Sequence, residues 1–347
     1  MPIHWQSEHN DCAPLYGRMD PSINSMHDQA TLSIDDRYEI RINHFVLAES
    51  NHIFNEPAYF KLHACNPGDL YAQLVRRSDL KVCATLALYE DAEHIFTSPR
   101  KGTFGGLGIN DTLDVPVIEH FLRGLIDHLK AKGAREIRFK CPPISHDLPL
   151  SSIVANVLLR GGATLAAFEL NQDMVIDGRP FSERVEYGNR KRIGKCLREG
   201  FVATELEIEN FESVYSLIRD NRARRGYPIT MTGEQLRAMS DAFPKRFRLF
   251  AVYAKPDRRQ MVAASICIEL SPSVLYVFYW GDATGMESHS PIALLASCIY
   301  AFGQRRGFQV LDAGASTVAG VPNYGLMRFK RGLGFSESLK PSYHLRT

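Results

Sequence analysis

The sequence lacks any long apolar run. No stretch of its 347 residues approaches the ~18 uninterrupted apolar residues that a membrane-spanning helix needs, so no membrane span is predicted. The N-terminal segment, MPIHWQSEHNDCAPLYGRMDPS, has no apolar core of the kind that a secretory signal contains. A cytoplasmic location is therefore expected.

Cysteines and histidines form no metal or disulfide pattern. The seven cysteines are scattered without a CxxC pair, and an odd count without a framework favours a reducing compartment. The twelve histidines are dispersed, and there is no HExxH motif. We predict no metal site.

The chain also has no large excess of charge of either sign. The 41 basic residues are balanced by 39 acidic ones, which gives a formal net charge of +2. A whole-protein attraction to nucleic acid is excluded on this count, and only a local basic patch could bind a polyanion. DNA is not expected as a partner.

Several familiar catalytic motifs are absent. The chain has no GxSxG elbow and no GxxxxGK[ST] phosphate loop. The glycine-rich segment GTFGGLG (residues 102–108) does not run from a strand into a helix, as a dinucleotide fingerprint must. It favours a bulge or a close backbone approach.

What the sequence does contain is an internal repetition. Residues 103–140 and 276–314 each show an apolar strand, a Gly-bearing loop, an amphipathic helix and a short apolar strand. Pro116 and Pro291 open the two helices, and Gly133 and Gly307 close them, which is the usual asymmetry of helix ends. A period of about half the chain indicates two domains of one fold rather than a solenoid.

The predicted organisation is an N-terminal extension (residues 1–31) followed by two domains (32–178 and 179–347). Antiparallel strands precede strand–helix alternation, which argues for a mixed sheet with helices on both faces. Among the predicted elements are a hairpin with Ser78 and Asp79 as its turn, a strand over 103–109 and a single basic helix over 183–199. A further helix over 232–243 begins with a capping box of Thr232 and Gln235.

Three basic segments could carry chemistry, and the first is the helix over 183–199. Lys191, Lys195 and Arg198 follow i, i+4, i+7 and share one face. This face is either a surface for phosphate or another polyanion, or an ordinary solvated helix face.

The second segment, IRDNRARRGYPIT, covers residues 218–230. Arg219, Arg222 and Arg225 recur at the end of a predicted helix, where cations favour the helix dipole. Four arginines within seven positions also suit a phosphate or carboxylate ligand. Both readings stay open.

The third segment, FKRGLGF, covers residues 329–335. A helix over 324–333 would have core spacing at Leu326, Phe329 and Leu333. This pattern predicts that Lys330 lies off the buried face and points either into a cleft or to solvent.

Together these segments resemble the FemABX-like branch of the GNAT superfamily and its BioF2-like relatives. YGNRKRIGKCLREG is similar to that family's basic Arg-x-x-x-Lys-x-x-x-x-Gly helix, and RARRGYP to its Arg/Lys-x-Gly-x-Pro segment. SPIALLASCIYAFGQRRGFQVLDAGAS resembles its helix, strand and Asp-x-Gly-x-Ser turn, and FKRGLGF its closing signature. The resemblance covers most of the chain from about residue 36. It implies an α/β (α+β) fold of two tandem GNAT-like domains, each with a mixed, mostly antiparallel sheet flanked by helices.

The resemblance implies transfer of an aminoacyl or acetyl group to an amine, without a covalent enzyme intermediate. By position, Lys330 matches the lysine implicated near the donor or the developing oxyanion, and Phe329 precedes it; these two are the catalytic candidates. The substrate-binding candidates are Arg222, Arg225, Tyr279, Tyr324 and Lys191. No tightly bound cofactor is expected. The co-substrate would be an aminoacyl-tRNA or an acyl-CoA, and the acceptor a small or phosphorylated molecule.

Two departures from the family pattern leave the donor open. The chain has no long helical arm like that of some peptidoglycan-bridge enzymes, and no Arg/Gln-x-x-Gly-x-Gly/Ala loop like that of simple acetyl-CoA enzymes. The alternatives are an acyl-CoA-dependent N-acetyltransferase of a small-molecule or polysaccharide pathway, and a non-catalytic ligand-binding protein. No general base is identified; Asp312 and Tyr324 are in reach only if the last helix packs against the second repeat strand.

Overall fold

The computed structural model describes residues 27–46, 52–227, 229–254 and 260–347. The extension predicted over residues 1–31 therefore falls, up to residue 26, outside the described residues, and Ala30 and Thr31 already belong to the first strand. Within the described ranges, no helix is long and apolar enough to cross a membrane.

The first half of the chain contains eight strands and three α-helices among its described residues. In chain order they are β1 (Ala30–Ser33), β2 (Tyr38–Ile42), α1 (Pro57–His63), β3 (Leu70–Arg76), β4 (Val82–Ala92), β5 (Ile95–Ser98), β6 (Gly108–Ile109), α2 (Val115–Ala131), β7 (Glu136–Lys140), α3 (Leu148–Arg160) and β8 (Thr164–Val175).

The second half begins with helices. Its elements are α4 (Phe181–Arg184), α5 (Tyr187–Arg198), β9 (Val202–Leu206), α6 (Phe211–Arg225), α7 (Gly233–Ala242), β10 (Phe247–Tyr253), β11 (Met261–Glu269), β12 (Val274–Asp282), α8 (Pro291–Arg306), β13 (Val310–Ala315), β14 (Thr317–Val318), β15 (Val321–Pro322), α9 (Tyr324–Gly332) and β16 (Ser336–Arg346).

The predicted repetition is confirmed in the order and pairing of these elements. Strands β3, β4 and β5 are antiparallel neighbours, α2 follows, and β7 returns parallel to β5. Strands β10, β11 and β12 repeat this order, with α8 and then β13 parallel to β12. The fold class is therefore the expected one, a mixed and mostly antiparallel sheet flanked by helices in each half.

The two halves exchange their last strands. β16, from the second half, pairs with both β7 and β8, while β8, from the first half, pairs with β13. All the major strands consequently join into one sheet in the order β1-β2-β3-β4-β5-β7-β16-β8-β13-β12-β11-β10-β9. Strand pairing thus crosses the domain boundary expected at residue 178, and that boundary stays a prediction.

Hydrophobic packing explains why the exchange is stable. The core of the first half surrounds α2, whose buried residues recur on one face, and it also contains Tyr343 and Leu345 of β16. In return, a core beneath β10–β12 includes Phe54, Tyr59 and Phe104 from the first half. Each core is incomplete without side chains from the other half.

Local signals at three helix ends have the predicted effect. Gly133 follows α2 and Gly307 caps α8, both with left-handed φ (85° and 78°), a conformation that glycine adopts without steric cost. The capping box of α7 is complete, with Thr232 and Gln235 each accepting the other's backbone N–H.

Other element predictions are wrong in detail. The basic helix expected over 183–199 is two helices, because the backbone is extended at Val185 between α4 and α5. The hairpin expected to turn at Ser78 and Asp79 is present as β3 and β4, but its loop is longer than two residues and runs from Arg77 to Lys81. Of the strand expected over 103–109, two residues pair with β4. Elements β1, β2 and α1 were not predicted.

Removing a core side chain from β16 should destabilise the first half, although β16 belongs to the second. Leu345 is 2% exposed within the first core, so Leu345→Ala should lower the free energy of unfolding by about 2–5 kcal/mol, measured by urea denaturation. Leu339→Ala, on the same strand but 39% exposed, is the matched control and should cost clearly less. Equal losses in the two variants would contradict the exchanged packing.

Candidate active site

In the second half, the parallel strands β12 and β13 pair over only part of their length. β12 and β13 are paired at only three positions, ending with Tyr276 opposite Asp312. Beyond this pair β12 continues to Asp282 along β11, and β13 continues to Ala315 along β8. We call the region beyond this last pair, where β12 and β13 no longer pair with each other, the strand opening.

The first half closes the base of the strand opening. Thr103 Oγ1 lies 3.0 Å from the hydroxyl of Tyr276, and the ring of Phe104 contacts those of Tyr276 and His146. Burial raises the pKa of Tyr276, so its hydroxyl is neutral near pH 7.

Lys330 is buried beside this opening. Asn323 caps α9 through the N–H of Leu326, and the helix then places Met327 and Lys330 on its inner face. Lys330 is 2% exposed, and its Nζ donates to the carbonyl oxygens of Gly314 (2.8 Å) and Ala315 (3.2 Å) at the end of β13. The last helix therefore does pack against the second repeat strand.

The predicted burial pattern of α9 is correct at Leu333, which is fully buried, and wrong at the other positions. Lys330 was expected off the buried face, but it lies on that face with Met327, whereas Leu326 and Phe329 are half-buried. Hydrophobicity alone misplaces the face because a charged residue occupies its centre. Burial lowers the pKa of Lys330 to about 7, although the negative charge of Asp312 acts in the opposite direction.

Phe329, the other catalytic candidate, has a packing role in this structure. Its ring is edge-on to Trp280 of β12 at 6.2 Å between centroids, and it packs on the core beneath α8. Its part in catalysis stays a prediction.

Arg222 and Tyr279 are brought together. The guanidinium of Arg222, on α6, lies over the ring of Tyr279, on β12, at 4.8 Å from the centroid. The Tyr279 hydroxyl accepts from the backbone N–H groups of Thr230 (3.1 Å) and Met231 (3.3 Å). The ring of Tyr279 replaces part of the hydration shell of the Arg222 guanidinium, and this burial lowers the pKa of Arg222.

Arg225 is engaged by a carboxylate of the chain itself. Asp282, the last residue of β12, accepts from Arg225 Nη2 at 3.1 Å, from Arg224 Nη2 at 3.4 Å and from Asn221 Nδ2 at 2.5 Å. An anionic ligand at Arg225 would have to compete with Asp282. The predicted grouping of Arg225 with Lys330 stays a prediction.

Tyr324 and Lys191, the remaining candidates, lie on the surface. Tyr324 is 73% exposed at the first turn of α9. Lys191 lies over the exposed ring of Tyr187 on α5, with Nζ 4.5 Å from the ring centroid.

Lys191 belongs to a continuous cationic surface. A shallow depression of about 490 Å³ runs along α5 and is lined by its basic side chains and by Tyr187 and Gly194. We call these cations the α5 basic face: Arg190, Lys191, Arg192, Lys195 and Arg198. The N-terminus of α5 is fixed to the end of α9, because the N–H of Glu186 and the amide of Asn189 donate to the carbonyl of Gly332.

The sequence did not reveal a group of buried polar residues behind Lys330. Asp312 is fully buried and accepts from His146 Nε2 (2.8 Å), Asn171 Nδ2 (2.7 Å) and the N–H of Gly314 (2.7 Å). Burial acts to raise the pKa of Asp312, but these donors hold it below its usual value. The sequence analysis named Asp312 in the Asp-x-Gly-x-Ser turn, but nothing in the sequence links Asp312 to His146 or Asn171.

Several solved protein structures are similar to this chain. The chain is similar to the crystal structure of FemX, with a TM-score of 0.65 at 13% identity over 87% of this chain and 97% of that one. It is also similar to L-PGS from Bacillus licheniformis (TM-score 0.52, 11% identity, 80% and 84% covered). A conserved protein of unknown function from Bacteroides thetaiotaomicron has a TM-score of 0.54 at 10% identity, with 84% and 90% covered.

No family model matches the sequence, and no curated protein matches it. At these identities the matches show a shared fold. The fold that the FemABX-like resemblance implied is confirmed by the likeness to FemX and L-PGS.

Burial of Lys330 should appear as a pH-dependent difference in stability. Its pKa is about 7 in the folded state and ~10.4 in an unfolded chain, so between these values the unfolded state binds more protons. Stability from this group therefore rises with pH over that window, by at most ~1.4 kcal/mol per pH unit. Relative to Lys330→Met, the wild type should gain stability between pH 7.5 and 9.5 in urea denaturation.

Lys245→Met, which replaces an exposed lysine, provides the control and should follow the wild type at both pH values. Parallel pH dependence of Lys330→Met and wild type would show that Lys330 is not buried as described.

Proposed function

We propose that the protein is an acyltransferase that moves an activated acyl group to an amine at the strand opening. The observation that carries this proposal is the buried amine of Lys330. Among the described residues its hydrogen-bond acceptors are two neutral carbonyls, and no carboxylate lies within ion-pair distance. An ammonium group held by neutral partners in a dry site is a strong electrostatic donor to a new negative charge.

The reaction needs little from the protein besides alignment and charge. The amine nitrogen attacks the acyl carbonyl carbon, a C–N bond forms, and the carbonyl electron pair moves onto oxygen. The ammonium of Lys330 stabilises this oxyanion. When the intermediate collapses, the bond to the leaving oxygen or sulfur breaks, and that atom takes up the proton lost by the amine.

The α5 basic face favours an aminoacyl-tRNA as the donor. Its cations lie along a helix of about three turns, a length that spans several phosphates of a nucleic acid backbone. Among the described residues, its carboxylate contact is Lys195 with Glu199 at a loose 3.9 Å. The exposed ring of Tyr187 offers a stacking surface beside the cations. CoA carries only a pyrophosphate and one 3′-phosphate, so it would leave part of this face unused.

The N-terminus of α5 contacts Gly332 at the end of α9 through Glu186 and Asn189, whereas Lys191, Lys195 and Arg198 lie on the opposite, outer side of the helix. Gly332 lies two residues beyond Lys330, so a tRNA backbone on α5 could deliver its acylated end toward the strand opening. Arg222, stacked on Tyr279 on the other side of the opening, is the candidate contact for a phosphorylated or carboxylated acceptor.

Loss of Lys330 should slow the chemical step. Lys330→Ala should lower kcat and kcat/KM together by about 10²–10³, with KM nearly unchanged, because the donor acts only in the transition state. Radiolabelled aminoacyl-tRNA and acetyl-CoA would be tested separately against a panel of amines, with product label as the readout. Arg328→Ala, an exposed cation of the same helix, is the control and should keep full activity.

A raised KM at constant kcat in Lys330→Ala would make Lys330 a binding contact instead. Full activity in that variant would reject the proposed role. Absence of transfer from every donor in the wild type would favour a non-catalytic binding protein.

Charge removal on α5 should weaken tRNA binding. Lys191→Ala/Arg198→Ala should reduce affinity for tRNA and lower the slope of log K against log salt by roughly two, because each lost phosphate contact removes about one released counterion. Fluorescence anisotropy over a salt series measures both quantities.

The matched control removes two exposed cations from α2, in Arg123→Ala/Lys130→Ala, and should leave the slope unchanged. If the α5 variant loses use of acetyl-CoA but keeps its affinity for tRNA, the acyl-CoA alternative is correct.

A further inference from the structure

A chain of short contacts links Lys330 to residues of the first half. Asp312 Oδ1 accepts from the N–H of Gly314, and the carbonyl of the same Gly314 accepts from Lys330 Nζ. On its other side Asp312 is held by His146 and Asn171. The residues Asp312 to Gly314 thus form a short bridge between a buried carboxylate and a buried amine.

Backbone conformation orients this bridge. Gly314 has φ of 78°, in the left-handed region that only glycine adopts freely. This turn directs the carbonyls of Gly314 and Ala315 to the same Nζ atom. The Asp312 hydrogen bond to the Gly314 N–H fixes the turn and therefore the direction in which the amine is held.

The donors to Asp312 also fix its charge. Three hydrogen bonds to one buried carboxylate favour its ionised form, and the charge of an ionised Asp312 raises the pKa of Lys330 against the effect of burial. Two of these donors come from the first half, His146 from the segment after β7 and Asn171 from β8.

We propose that Asp312, held by His146 and Asn171 of the first half, is a positioning residue that keeps the Lys330 amine oriented and charged. The first half would then be part of the active site rather than only a scaffold. The catalytic importance of Asp312 rests on the proposed acyl transfer, whereas the effect of Asp312 on Lys330 does not.

Any test must distinguish the effect of Asp312 on Lys330 from the effects of other ionisable groups near this pair. Those that interact electrostatically with Asp312 from the neighbouring elements are His146, Asp173, Tyr276 and Lys340. Asp173 is the most useful of them, because it lies in register with Asp312 on β8 and its oxygens accept from Ser145 and Ser338.

The test is a direct titration of Lys330 in the substrate-free, full-length protein. Proton–carbon NMR of ¹³C-labelled lysine, with the Lys330 signal assigned from Lys330→Met, gives its midpoint. Asp312→Asn should lower this midpoint by about one pH unit or more, because a nearby opposite charge is removed. Asp173→Asn, the matched buried carboxylate, should move it far less.

Variants of His146 test whether the first half contributes to the titration of Lys330. His146→Ala removes one donor to Asp312 and should lower the Lys330 midpoint by less than Asp312→Asn does. His146→Gln keeps a donor and should restore the wild-type value at least in part. If Asp312→Asn does not fold, the comparison of these two variants decides the matter.

An unchanged midpoint in Asp312→Asn, or in His146→Ala when that variant must decide, would overturn the inference. An equal shift in Asp173→Asn would also overturn it. A shifted midpoint in a protein that transfers no acyl group would keep the inference and reject the proposed function. In an active enzyme, the alkaline limb of kcat/KM should move with the Lys330 midpoint.

Discussion

The position of β16 between β7 and β8 is the constraint on which this molecule depends. By pairing with both strands, β16 turns two repeated units into one sheet and completes the core of the first half. The same exchange brings β8 against β13, which places Asn171 beside Asp312. Without the exchange, the buried polar group behind Lys330 would lose its partners from the first half.

Burial of opposite charges near one strand end follows from this arrangement. An isolated buried amine or carboxylate is strongly disfavoured, so each must be satisfied by donors or acceptors of fixed geometry. The structure meets this demand with a left-handed glycine and with residues from two strands, one helix and one loop. Such a satisfied network is rigid, and rigidity is what a site acting through preorganised charge requires.

The sequence predicts what is periodic and local. The helix of each repeat, its closing glycine and the capping box at Thr232 all follow from short-range patterns, and each is present. Short-range patterns fail where tertiary contacts decide. On α9 they place Phe329 inside and Lys330 outside, because spacing rules assume that a lysine is solvated, whereas the carbonyls at the end of β13 compensate for its burial. His146 and Asp312 are 166 residues apart in the sequence, and no local pattern connects them with each other or with Asn171.

The exchange of strands also bears on how the protein is made. β16 follows every other described element in the chain, yet it occupies the centre of the sheet. The first half therefore emerges from the ribosome with one edge of β7 unpaired and part of its core open until β16 has been synthesised. Exposed strand edges of this kind invite association with other chains, and pairing across about two hundred residues is slow. Efficient production of this protein should therefore depend on whatever shields the unpaired edge of β7 until β16 can pair with it.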